Sequence, residues 1–98
     1  MASPQVENGY TKIANEILEA LVRVRLSPNE WRVTLFVIRK TYGWGKKTDR
    51  IAASQIASGT GIARQNVFRT QKSLVNKGIL LRPDNRYIGF QKDYSQWF

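Results

Sequence analysis

The sequence has no cysteine and no histidine. Without cysteine there are no disulfides and no thiolate metal ligands, which fits a reducing cytosol. Without histidine, a zinc site would need carboxylates alone, a poor match to that ion. The same two absences remove two common kinds of catalytic residue. Acids are scarce as well: Glu7, Glu16, Glu19, Glu30, Asp49, Asp84 and Asp93 make seven. Glu30 reads as a helix cap and Asp84 as a turn residue, and the others show no paired spacing. Gly43-Trp44-Gly45-Lys46-Lys47 has the composition of a phosphate-binding glycine loop but not its spacing. The chain is therefore expected not to be an enzyme and to need no cofactor. No apolar run approaches the roughly 20 residues of a membrane span. The start, Met-Ala-Ser-Pro-Gln-Val-Glu, has neither the basic opening nor the apolar stretch of a signal peptide. No membrane partner is expected.

What the sequence has in excess is positive charge. Sixteen Lys and Arg against seven acids give +9 and a pI near 10.4 over 98 residues. That density suits a polyanion, nucleic acid before an anionic membrane. Apolar residues make up 42%, enough for one small core, so the chain is not wholly disordered.

The pattern then divides the chain. Residues 1–9 read as a flexible lead-in broken by Pro4 and Glu7-Asn8-Gly9, and residues 10–98 as one domain. Ile13, Ile17, Leu18, Leu21 and Val22 share a helical face and predict a helix over about 11–23. Ser27-Pro28-Asn29-Glu30 is a capping box with proline at the first helical position. The helix it starts is apolar on several sides, so it is expected at the centre of the domain, ending at Gly43 with Trp44 folded back on the core. Asp49-Arg50-Ile51 predicts a brief strand with Ile51 buried. Ile51 to Gly78 predicts two helices, about 53–59 and 63–77, around a turn at Gly59-Thr60-Gly61. Ile56, Ala57, Ile62, Val67 and Leu74 form their inner side. Both helices lack a Ser or Thr cap, having Ala52 and Ala63 there. At Ala63 either a DNA phosphate or water would satisfy the free amides. Ile79-Leu80-Leu81, the turn Pro83-Asp84-Asn85 and Tyr87-Ile88-Gly89-Phe90 predict a hairpin. Tyr94, Trp97 and Phe98 are expected to pack back on the body. The fold class is mainly α (α+β): a winged helix-turn-helix of three to four helices plus a C-terminal β-hairpin wing.

The second helix of that motif carries the functional expectation. Its outer residues Arg64, Gln65, Asn66 and Arg69 are of the types that read base edges in a major groove. Lys72, Arg82, Arg86, Lys46 and Lys47 are assigned to phosphates, which position a protein without specifying sequence. Phe68 falls on the solvent side and is expected to pack on the wing or a partner, with contact to a thymine methyl as the alternative. Gln71 is expected to be half-buried. Lys12, Arg23 and Arg25 are read as solubilising.

Several segments also resemble a family. Asn8-Gly9-Tyr10, Leu26-Ser27, Ile38-Arg39-Lys40-Thr41-Tyr42-Gly43-Trp44, Asp49-Arg50-Ile51 and the closing Lys92-Asp93-Tyr94-Ser95-Gln96-Trp97 are similar to the N-terminal domain of phage replication protein O, the lambda-type origin-binding initiators. The likeness covers about residues 8–97 and departs from the lambda pattern mostly between Arg64 and Lys72. The resemblance implies binding to repeated duplex sites in a phage origin as a homodimer. It also implies contact with a helicase loader through a C-terminal region not in this chain, in the cytoplasm of the bacterial host. Two competing readings stand beside it: a winged-helix transcriptional repressor, and a protein-interaction module using Phe68, Trp97 and Phe98.

Overall fold

A computed structural model describes residues 1–98 and orders them as four helices and a three-stranded antiparallel sheet. Helix α1 spans Asn15–Arg23, α2 Pro28–Tyr42, α3 Ala53–Thr60 and α4 Arg64–Asn76. Strand β1 is Thr48–Arg50, β2 Leu80–Leu81 and β3 Tyr87–Phe90, in the spatial order β1-β3-β2. The α3–turn–α4 unit followed by the β2–β3 hairpin is the order of a winged helix-turn-helix. The mixed α+β class is as expected from the sequence.

Local chemistry explains the helix boundaries. At α2 the Glu30 amide donates to Ser27 Oγ (3.2 Å) and the Ser27 amide donates to Glu30 Oε1 (2.8 Å), completing the capping box. Between α3 and α4 the chain turns at Gly61, whose φ of 77° lies in the left-handed region that a side chain would strain. Ala52 supplies no side-chain cap, but its amide donates to Gln55 Oε1 (2.7 Å), and Ala63 has no side-chain cap at all.

The core follows these helices inward. Val33 and Val37 of α2, Ile56 of α3, Val67 and Leu74 of α4, and Ile79, Leu80, Ile88 and Phe90 around the hairpin form one cluster. On α4 the buried positions are Val67, Thr70, Gln71 and Leu74, spaced for one helical face. The register pairs Asp49 with Ile88 and Arg50 with Tyr87 on one side of β3, and Leu80 with Phe90 on the other. Trp97 returns to this core, its ring 5.8 Å from that of Phe90 and its Nε1–H donating to the Gln91 carbonyl (2.8 Å).

Three expectations need correction, on α1 and at Trp44. Helix α1 starts at Asn15, not near Thr11, and Ile13 reaches the core from extended chain. Its inner face is Ile17, Ala20 and Leu21, which leaves Leu18 and Val22 exposed to one side. Helix α2 is central, as expected, packing against α3, α4, β1 and β3, with Leu35 left 54% exposed on its outer side. Helix α2 does stop at Gly43, as expected; Gly43 itself stays in the right-handed region, and the left-handed residue of the turn is Gly45, with φ 68°. Trp44 does not fold back: the tight turn, closed by the Lys46 amide on the Thr41 carbonyl (2.8 Å), leaves its side chain 67% exposed.

Candidate nucleic-acid interface

Helix α4 has a buried side facing α2, α3 and the hairpin and an outer side that meets solvent. A helix advances about 100° per residue, so positions four and seven apart line one stripe. Gln65, Arg69, Lys72 and Asn76 lie opposite Val67 and Leu74, and all four are exposed. This stripe is the part of α4 that a groove would meet first. Arg64 and Phe68 lie on the flank beside it. The Arg64 guanidinium sits 5.8 Å from the centre of the Phe68 ring, which is 49% exposed. Phe68 thus supports Arg64 instead of entering the core.

Asn66 lies on the other flank. It shares a side with Ser73, seven residues on, whose hydroxyl donates to Glu30 Oε2 (2.8 Å) at the start of α2. Asn66 is half-buried there. Arg64 and Asn66, two positions apart in sequence, therefore point about 200° apart around the helix. The structure brings Arg64, Gln65 and Arg69 to the outer and hairpin sides and sets Asn66 apart from them.

The hairpin flank opens into a cleft of about 300 Å³ lined by Arg50, Arg64, Phe68, Gln71, Arg82 and Arg86 among others, with no acidic side chain in its wall. The arginines arrive from three parts of the fold. Arg50 ends β1, where the burial of Ile51 turns its neighbour outward. Arg82 and Arg86 flank the hairpin turn. Asp84 holds that turn by accepting from the amides of Arg86 (2.7 Å) and Tyr87 (3.1 Å). Arg82 donates to the Asn85 carbonyl (3.3 Å) and, at 3.4 Å, weakly to Gln71 Oε1. Gln71 is 2% exposed, more deeply placed than its expected half-burial. It joins the α4 core face to the wing.

Four guanidiniums without a carboxylate in the wall raise the local positive potential, and a polyanion relieves their mutual repulsion. The planar guanidinium also suits two-point contact with phosphate. Arg50 was not singled out from the sequence. The signal was present in its alternation with Ile51, but only the pairing of β1 with β3 brings it beside the hairpin.

Lys46 and Lys47 are elsewhere. They precede β1, whereas Arg50 ends it, so the length of the strand, roughly 10 Å, separates them from the arginine cleft. They line a second cleft with Lys12, Tyr42 and Lys92. The nine residues assigned to DNA from the sequence thus fall on more than one surface. Gln65, Arg69, Lys72, Arg64, Arg82 and Arg86 stand together, while Asn66, Lys46 and Lys47 lie apart.

Comparison with known proteins adds to this geometry. Residues 3–97 match the family described as Bacteriophage replication protein O. Replication protein 15 of Enterobacteria phage phi80 is 40% identical over 95 residues, covering 94% of this chain and 32% of the relative. The DNA replication protein gp18 of Salmonella phage P22 is 34% identical over 93 residues, covering 95% of this chain and 34% of that one. Replication protein O of Escherichia phage lambda is 32% identical over 92 residues, 94% of this chain and 27% of the relative. The chain thus spans about a third or less of the length of these relatives. No solved structure matches it.

Proposed function

This chain belongs to the bacteriophage replication protein O family, and from that premise we propose that it is a domain binding duplex DNA at repeated sites in a phage replication origin. The observation that carries the reading is the exposed stripe Gln65–Arg69–Lys72 on α4 beside a cleft of four arginines. In this reading α4 enters the major groove. Gln65 and Arg69 reach base edges, Arg pairing best with guanine and Gln with adenine, and Arg64 reads from the hairpin flank. Lys72 meets the backbone further along α4. Arg82, Arg86 and Arg50 hold the phosphates on the wing side. Asn66, Lys46 and Lys47 take no part in this surface. Family membership further supports two copies acting on each repeat and contact with a helicase loader through a C-terminal region of the full protein, in the host cytoplasm. The domain itself acts by binding and not by catalysis.

The interaction-module reading has less support. Trp97 packs on Phe90, and Phe98 lies by Lys77 at the far end of α4 from Phe68, roughly 13 Å along the helix, so the three aromatics make no common surface. A repressor would use the same fold.

Selection of bound sequences from random duplex DNA at fixed salt, followed by binding to the recovered site, tests the proposal. Tandem repeats are the expected product; a single promoter palindrome would favour the repressor. Arg69→Ala is expected to cost about 1–3 kcal/mol on the selected site and little on random duplex. Asn66→Ala is expected to change neither. Equal losses on both DNAs for Arg69→Ala would remove it from base reading.

A further inference from the structure

The second basic cleft has its own chemistry. It encloses about 300 Å³ between Lys12 before α1, Tyr42 at the end of α2, Gly45, Lys46 and Lys47 in the following turn, and Lys92 after β3. Four lysines converge from three parts of the chain, and no acid lines the cleft. The nearby acids are engaged in part. Asp49 lies 3.6 Å from Lys46, an exposed contact that solvent weakens, and Asp93 accepts from the amide and hydroxyl of Ser95. Burial keeps the Tyr42 phenol neutral to higher pH than usual, so its hydroxyl remains a donor.

An exposed aromatic side chain precedes these lysines in the chain. Trp44 projects from the same turn, between Gly43 and Gly45, with 67% of its surface in water. The tight turn holds this indole in solvent, outside the cleft wall but only two and three residues along the chain from Lys46 and Lys47, where its faces are free to stack. Duplex DNA would use the lysines but not the indole, because its bases are already stacked on one another. A single strand uses both: its phosphates follow the charged groove, and an unpaired base stacks on the aromatic face.

We propose that Lys12, Lys46, Lys47 and Lys92, with Trp44 as the stacking platform, form a single-strand DNA site separate from the α4 surface. Lysine fits this role because it meets phosphate as a mobile point charge and does not demand fixed two-point geometry. The site takes about one stacked base and the phosphates on either side of it. It lies beyond the end of β1 opposite Arg50, and its lysines are not those of the arginine cleft. The proposal does not depend on the duplex reading, because none of its residues belongs to the α4 face or the arginine cleft.

Fluorescence anisotropy of a labelled 12-nucleotide oligo-dT at low salt, with binding to a 12-base-pair duplex measured in parallel, tests it. Trp44→Ala is expected to weaken oligo-dT binding about tenfold and to leave duplex binding unchanged. Trp44→Phe, which keeps a stacking ring, should recover most of the loss. Lys46→Ala with Lys47→Ala should weaken oligo-dT binding and flatten its salt dependence. Circular dichroism confirms that the variants are folded. The proposal is overturned if Trp44→Ala stays within twofold of the parent on oligo-dT, if it weakens duplex binding equally, or if excess duplex displaces the oligo-dT fully. Loss of duplex binding alone would count against the α4 reading and leave this one standing.

Discussion

Replacing Glu30 by glutamine should remove about 3 kcal/mol of stability at pH 7, and less as the pH falls. The carboxylate is 6% exposed and accepts from the Ser27 amide (2.8 Å), the Ser73 hydroxyl (2.8 Å) and the Lys77 ammonium (2.8 and 2.9 Å). It ties the start of α2 to the last turns of α4. Burial alone would raise its pKa. The hydrogen bonds from Lys77, Ser27 and Ser73, with the charge on Lys77, outweigh that and lower it from 4.5 to about 2. A pKa lowered in the folded state contributes stability that is complete above the unfolded value. It is lost as the pH falls through the folded value. The two values imply about 3 kcal/mol at pH 7 and about 1 kcal/mol at pH 2.5. Glutamine keeps the shape and one acceptor oxygen, but it has no charge for Lys77 and no proton to gain across this range. Urea unfolding of both proteins at pH 7 and pH 2.5 measures the difference, and subtraction cancels the other carboxylates. In a melt at pH 7 the variant should lose about 15 °C. A difference of the same size at both pH values would refute the ion-pair account and leave only a packing effect.

Two further outcomes follow from the same geometry. Arg86→Ala should weaken selected and random duplex alike and reduce the slope of log affinity against log salt by about one unit, read from a salt titration; an unchanged slope would remove Arg86 from the phosphate contacts. Gly78→Ala should destabilise the domain by more than 1 kcal/mol in urea titration, since φ there is 77° and a Cβ would lie 2.3 Å from the Gln96 carbonyl oxygen. A neutral result would refute both the left-handed conformation at Gly78 and the close approach of the C-terminal tail to it.

Much of the architecture was legible because its signals are local. The capping box at Ser27–Glu30, the left-handed Gly61 and the spacing of Val67 and Leu74 each act within one or two helical turns. The likeness to replication protein O rested on comparable short runs and is matched by the family assignment. The errors share a cause as well. The apolar character of Leu18, Val22 and Trp44 suggests burial, but a 98-residue domain has too little interior to cover every apolar side chain.

For the proposed nucleic-acid surface, the sequence by itself determined an excess of positive charge and a polar outer face on α4. Both follow from composition and helical period and require no partner element. Only the tertiary structure decided which charges act together. Arg50, Arg64, Arg82 and Arg86 meet because β1 pairs with β3 while α4 packs beside the hairpin. Asn66 is drawn to the other flank, where Ser73 and Glu30 join α4 to α2. Lys46 and Lys47 lie at the far end of β1 from Arg50 and line a different cleft. Period and charge are properties of neighbours along the chain. The convergence of distant residues depends on strand register and on which faces are buried, and the core sets both.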